Sequence, residues 1–425
     1  MSLKAAILSR AFIPVLILTL GSISLGIGIA YPSPTLKDII LYFHMKPFEV
    51  NFFNSISSLT AVLGPLYTGI FAKRGKRRIV QAISVLCILS WLILIITAAD
   101  YPGIVILHRG LLGIALGGIS AVFPGYISDI TPDEFRNIYG SMHQLGITIG
   151  IFLANFVGMY LKWKPLAIFS MVITDLLLIF SLKIPDVSYS SLQDDQELVS
   201  NNISNSLFDV KYRKNLIIGI LLMFFQQFSG INAVLTNLGS IITSKSGSTI
   251  AASAQCFSCI ICIFLIDKIG RVKAWALSLF GSATSVFLLA LCEFLHLSAY
   301  IEIFAAFAFL FFFCFGLGPI TWLVVPELFP SNVRQTGLSL LSSLNWIFSF
   351  LTIFAYSILS SQFGTSVTFC LFALILVQGG FYGVKNIKPT MNEENVVGAD
   401  ENDDFKYEEN IYEHFDDLKI ESQSD

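Results

Sequence analysis

The side chains best placed to do chemistry in this sequence carry no charge. Gln144, Gln226, Gln227, Asn232, Gln255 and Asn345 stand inside long apolar runs, and Trp322 and Trp346 stand in two more such positions. An amide both donates and accepts hydrogen bonds, and an indole offers a broad apolar face with one donor. Together they match an uncharged, hydroxyl-rich ligand, the amides taking its hydroxyls and the indoles a ring face. They do not match bond-breaking chemistry. No acid–base pair stands at a workable spacing, so no catalytic residue, metal ligand or cofactor is assigned. Gln226, Gly230 and Asn237 recur at helical spacing, as do Gln227 and Gly230. Ser229-Gly230 is a weak point where a helix can bend or unwind. A single amide in an apolar run usually ties one helix to another. A gathering of them points to a cavity instead, and Gln255 makes the weakest case on this ground.

Elements that hold such groups must be read from the apolar runs. Hydrophobic residues make up 55% of the 425 and charged residues 13%, with Phe occurring 38 times. So few charges cannot cover a soluble surface without large apolar patches. Runs long enough to span a bilayer as helices lie near 11–31, 52–72, 79–98, 103–123, 140–161 and 165–184. Six more lie near 216–236, 249–266, 274–295, 301–325, 337–359 and 367–384. They are too long and too uniformly apolar for barrel strands. Backbone hydrogen bonding in lipid then favours helices. The expected class is an all-α membrane protein with twelve spans, its first run a span rather than a cleaved signal.

Lys and Arg set the orientation. With the N-terminus in the cytoplasm, eighteen of them face inward before the tail, against six outward. Both termini are then cytoplasmic, in a multi-pass protein expected at the plasma membrane. Residues 389–425 hold 13 Asp or Glu and two Lys and read as a disordered acidic tail. The cytoplasmic stretch 185–215 is rich in Ser, Asn and Asp, with room for a short amphipathic helix. Its sequon Asn202-Ile203-Ser204 should stay unglycosylated. Nothing suggests nucleic-acid binding. Cys256 and Cys259 match a CxxC half-site without a second pair, and the cysteines in apolar runs read as small hydrophobes.

The chain repeats itself. DITPDEFR (129–136) and ELFPSNVR (327–334) both open with a carboxylate, place Pro three later and Arg seven later, and follow the fourth span of a half. GIFAKRGKRR (69–78) and DKIGRVK (267–273) both join second span to third, at nearly equal distances upstream. The expected organisation is therefore an N-terminal six-helix bundle over 1–184, a linker over 185–215, a C-terminal six-helix bundle over 216–388, and the tail. Two such bundles can rock about a central cavity. Arg and carboxylate groups at the cytoplasmic helix ends would latch it, Arg74 with Asp129 and Arg271 with Glu327. Charges inside the spans are few. Asp175 and Arg109 are the two that could join a proton relay.

These motifs resemble the sugar porters of the major facilitator superfamily, the group that includes animal glucose transporters. The resemblance covers about residues 20–390. It is carried by PGYISDITPDEFRNIYGSMHQLGITIG (124–150), QQFSGINAV (226–234), DKIGR (267–271), GPITWLVVPELFP (318–330) and NW (345–346). It implies the major facilitator fold, with twelve transmembrane helices in two pseudo-symmetric six-helix bundles. It implies sugar contacts at Gln144, Gln226, Gln227, Asn232, Gln255, Trp322, Asn345 and Trp346, and an inner ion-pair network of Arg74, Arg77, Asp129, Arg136, Asp267, Arg271, Glu327 and Arg334. It also implies transport of a hexose, glucose first, by a monomer needing no cofactor. Departures are specific. Lys73 and Lys76 replace the usual Asp and Gly, so the inner latch should be weaker or rearranged. Cys314 stands where Glu is common, and Thr236-Asn237 stands where a Tyr pair often closes the outer gate. Proton-linked relatives carry Asp in the first span at what is here Gly28. That favours facilitated diffusion over two alternatives, a proton–sugar symporter and a sugar sensor without flux.

Overall fold

The computed structural model describes residues 9–387 apart from 72–74, 100, 133–134, 187–206, 208, 243 and 330. Most of the expected linker, its sequon, the acidic tail and Arg74 thus lie outside the described residues, as do the side chains of Arg136, Asp267 and Arg334. The described chain is helical throughout. The helices are α1 (Phe12–Ala30), α2 (Pro32–Phe43), α3 (Pro47–Ala61), α4 (Leu63–Phe71), α5 (Lys76–Ile96), α6 (Pro102–Ile130), α7 (Arg136–Gly140), α8 (Met142–Tyr160) and α9 (Trp163–Ser181). After the linker come α10 (Val210–Phe228), α11 (Ile231–Ile241), α12 (Lys245–Ile269), α13 (Arg271–Leu295), α14 (Ala299–Phe312), a π-turn (Phe313–Leu317), α15 (Gly318–Glu327), α16 (Ser331–Phe363) and α17 (Thr365–Asn386).

Among the described residues, ten stretches are long and apolar enough to cross a membrane. The broken rod α3–α4 and the more polar α12 coincide with the other two expected spans. Several helices overrun their apolar runs: α6 continues to Ile130 and α16 reaches Phe363. The hydrocarbon core sets how many residues must be apolar. It does not end the helix, which continues through the polar interface. Large side chains such as Leu89, Phe264, Phe294, Phe304 and Phe381 lie exposed on the outside of the bundle. Lipid makes that surface favourable where water would not.

Apolar packing sorts by sequence half. One cluster draws on residues 11–184 and adds only Trp346 from beyond the linker. The other draws on 207–387 and adds Ile27, Ala30, Ile151 and Ala154. The repeat read from the sequence recurs in the backbone. Gly75 precedes α5 with φ 91°, and Gly270 precedes α13 with φ 85°. Both sit at the same point of the paired second-to-third-span motifs, in a conformation that L side chains rarely adopt.

Breaks in the helices position the site. The seventh span divides at Gly230, whose φ of 86° ends α10 and caps α11. A Cβ there would run into the Phe372 ring, so glycine is required on both conformational and steric grounds. The tenth span divides at the π-turn, after which α15 starts at Gly318 with Pro319 in its first turn. Proline lacks the N–H that would continue the ladder, and π-turns recur at functional breaks in helices.

Candidate functional site

Both breaks face a chain of amides. Gln226 Nε2 donates to the carbonyl of Gly318, 3.0 Å away, at the broken tenth span. Asn345 Nδ2, from α16, donates to Gln226 Oε1 at 2.7 Å. Gln227 Nε2 donates to Asn345 Oδ1 at 2.8 Å. Asn232 Nδ2, just past the Gly230 break, donates to Gln227 Oε1 at 2.7 Å and to Ser349 Oγ at 2.8 Å. Ser349 Oγ lies 3.1 Å from Ser58 Oγ of α3, which carries the chain into the first half. Gln226, Gln227, Asn345, Ser349 and Ser58 are buried. The break at Gly230 puts Asn232 at the head of a new helix and turns it back toward Gln227. A straight helix would carry those two residues to different faces.

The donors and acceptors thus satisfy one another between helices, and the end of the chain at Asn232 and Ser58 borders a void. About 10 Å³ of free space lies among Asn54, Ser57, Ser58, Arg109, Asn232 and Trp346. That is enough for roughly one water. A ligand entering here would have to exchange amide–amide bonds for its own. Such an exchange is close to neutral, because each bond nets only about 1 kcal/mol.

The remaining expected residues divide. Trp346 is buried and donates from Nε1 to Ser120 Oγ at 3.1 Å, linking α16 to α6 beside the void. Gln144 approaches Cys314 in the π-turn, Nε2 to Sγ 4.0 Å, so the departure at Cys314 falls opposite an expected contact residue. Gln255 is buried on α12, outside the linked chain just described. Trp322 is 37% exposed on α15 and stands apart from that chain as well.

Sequence reading missed part of the site. Asn54, Ser57 and Ser58 come from α3, and Ser349 from α16. Asn54 Nδ2 donates to Asn237 Oδ1 at 3.3 Å, across the two halves, while Asn54 Oδ1 has no partner among the described residues. Thr236 Oγ1 donates to the Asn232 carbonyl at 2.8 Å. The signal was present as a run of small polar residues, Asn54, Ser55, Ser57, Ser58 and Thr60, inside a nominally apolar span. Serines in apolar helices commonly bond their own backbone, which hides those that face a cavity.

Arg109 is buried, and its three described hydrogen bonds reach neutral acceptors. Nη1 donates to the Gly28 carbonyl at 2.7 Å, Nη2 to Ser57 Oγ at 2.9 Å and Nε to the Phe53 carbonyl at 3.1 Å. Its guanidinium carbon also lies 5.4 Å from the Phe53 ring centroid. Asp175 is half-buried on α9.

On the Lys/Arg-rich face, Arg271 Nη1 meets Glu327 Oε2 at 2.6 Å, the pairing expected from the sequence. Asp129 pairs with Lys76, one of the two departures from the family pattern; the expected partner, Arg74, lies outside the described residues. Lys76 starts α5 directly after the Gly75 turn, which brings its ammonium to the end of α6 where Asp129 sits. Arg77 Nη2 lies 3.7 Å from Asp186 Oδ2. The Lys76 and Arg271 pairs each join neighbouring helices of one half, third to fourth and ninth to tenth.

Comparison with known proteins agrees with this architecture. The family described as sugar (and other) transporter matches residues 46–203 and 188–394. Sugar transporter ERD6-like 6 of Arabidopsis thaliana is 29% identical over 411 residues, covering 85% of this chain and 84% of the relative. Glucose transporter GlcP of Staphylococcus epidermidis is 30% identical over 426 residues, covering 88% of this chain and 94% of the relative. The partially occluded, inward-open xylose transporter XylE from E. coli superposes with a TM-score of 0.77 at 17% identity, over 89% of this chain and 98% of that one. That likeness speaks to the fold, the major facilitator fold of two pseudo-symmetric six-helix bundles. Linked neutral amides that end at a small void lined from both sequence halves fit the family match, and the chain belongs to the sugar (and other) transporter family as a multi-pass membrane transporter of sugars, not an enzyme.

Proposed function

We propose that the protein is a hexose uniporter, with glucose its first passenger, working by alternating access as a monomer in the plasma membrane with both termini cytoplasmic. The bundles over 1–184 and 216–388 rock about the amide chain. Sugar hydroxyls replace the amide–amide bonds of Gln226, Gln227, Asn232 and Asn345. Gln144 and Gln255 flank the ring, and Trp322 and Trp346 support its apolar face. Arg74, Arg77, Asp129, Arg136, Asp267, Arg271, Glu327 and Arg334 steady the inner ends of the helices. The name of GlcP, a glucose transporter, supports the choice of passenger.

One observation carries the uniport reading. Arg109, the buried cation nearest the cavity, holds the backbone carbonyl of Gly28 where a proton-linked relative would offer a carboxylate. Its other hydrogen bonds also go to neutral groups. A proton carrier must gain and lose charge inside the membrane, and neither a carbonyl nor a serine does so.

The test is counterflow in liposomes with glucose, galactose, fructose, mannose and xylose, run with and without an imposed pH gradient. Exchange of labelled glucose that stops at equilibrium and ignores a protonophore is expected. Accumulation above equilibrium that collapses with the protonophore would overturn uniport, and binding without flux would identify a sensor.

A further inference from the structure

Away from the transport path, a cleft of about 420 Å³ opens between the start of α10 and the end of α17. Its lining combines two kinds of surface. Val210, Ile217 and Ile218 supply apolar wall, and Arg213, Lys214 and Asn386 supply a polar rim, with Tyr382 between them. Val210 and Ile217 are two helical turns apart, so they share a face with Arg213 and Lys214 between them. That face is open: Val210 is 88% exposed and Ile217 47%. On α17, Phe381 and Val384 are exposed beside Tyr382, so the cleft opens toward lipid rather than into the bundle.

Charge is one-sided here. Residues 209–214 hold Lys211, Arg213 and Lys214 against the single carboxylate of Asp209. Asp209 caps α10 without a side-chain hydrogen bond to its first turn, which leaves the positive end of a 19-residue helix facing the same region. Lys211 does not line the cleft, since its ammonium lies 4.7 Å from the Tyr212 ring centroid. On α17, Asn386 Nδ2 donates to the Tyr382 carbonyl at 2.9 Å, so Arg213 and Lys214 are the cleft's principal cationic donors. An apolar wall continuous with the lipid surface, ending in two cations on the Lys/Arg-rich face, is complementary to an amphiphile with an anionic head.

We propose that this cleft binds an anionic phospholipid of the inner leaflet, its phosphate held by Arg213 and Lys214 and its acyl chains lying along Val210 and Ile217. A zwitterionic lipid places a fixed cation beside its phosphate and would be the poorer occupant. The lipid would bridge the seventh and twelfth helices at their inner ends, without touching the amide chain.

Native mass spectrometry of the full chain, with phosphatidylglycerol titrated against phosphatidylcholine, tests this. The wild-type protein should retain phosphatidylglycerol with several-fold preference. The double variant Arg213→Gln/Lys214→Gln should lose one bound phosphatidylglycerol, and Lys211→Gln, which removes one cation of the same run outside the cleft, should lose none. Sugar counterflow by both variants verifies that they fold. Equal phosphatidylglycerol retention by the double variant and the wild type would overturn the proposal. So would equal loss in Lys211→Gln, which would mean diffuse attraction, or displacement by millimolar inorganic phosphate, which would mean a site for soluble anions.

Discussion

The two sides of the candidate site are held by different chemistry. Toward the face opposite the Lys/Arg-rich turns, contacts between the halves are neutral and short-range: Asn54 with Asn237, and the Gly239 N–H donating to Ser33 Oγ at 3.1 Å. An edge-to-face pair of Phe52 and Phe354, 5.9 Å between centroids, joins them. On the basic face the prominent contacts are ion pairs, and those of Lys76 and Arg271 lie within a half rather than between halves. The difference has a physical basis. Contacts that must part and re-form in every cycle work best when each is worth little and leaves no stranded charge. Contacts that keep a bundle rigid while it rocks can be ionic, provided they stay near water, where breaking them is cheap and making them is forgiving.

The comparison can be broken at its centre first. Gln227→Ala removes a side chain that links the buried Asn345 to the half-buried Asn232 and, on the proposed reading, a partner of the sugar's hydroxyls. A sugar hydroxyl left without its partner in the bound, buried state costs about 1–3 kcal/mol. Half-saturation for glucose counterflow should rise roughly ten-fold on that basis, with expression unchanged. Unaltered affinity would show that the amide chain is bundle glue and not a binding site.

A smaller effect is expected on the basic face. Glu327→Gln removes the partner of Arg271, and the Glu327 side chain is 56% exposed. Exposed pairs contribute about 0.2–1 kcal/mol, so maximal flux should fall by no more than a few-fold, and the gap from wild type should narrow at high salt. A loss that is complete, or independent of ionic strength, would mean the pair gates the path and does not merely stiffen one half.

The smallest effect belongs to the opposite face. Asn54→Ala deletes a long 3.3 Å bond to Asn237 but also removes a buried carbonyl that lacks a partner among the described residues. These offset one another. Exchange rates should change less than about two-fold by the same reasoning. A large fall in flux would mark Asn54 as a sugar contact, its free carbonyl reserved for a hydroxyl.

Much of the fold was legible before any coordinates. Apolar runs, the Lys/Arg asymmetry and the paired motifs depend on local composition and on spacing along the chain. The break at Gly230 was legible for the same reason, since a glycine after serine in a helix marks its own weak point. Within the candidate site, Gln226, Gln227, Asn232 and Asn345 meet as one chain. Gln255 and Trp322 stand outside it, although each occupies an apolar run as suggestive as the others. Asn54 and Ser58 enter it from a helix whose polar residues looked like ordinary backbone-bonding serines.

Composition and order along the chain thus determined that this protein lives in a bilayer, folds twice over into similar halves, and keeps uncharged hydrogen-bonding groups inside. Only the tertiary structure decided which of those groups touch. Lys76 reaches Asp129, and Arg109 finds the Gly28 carbonyl. The physical reason is rotation. Helical periodicity says which residues share a face, but the angle each helix presents to its neighbours is set by packing across the whole bundle, and a hydrogen bond is lost within an ångström of misplacement.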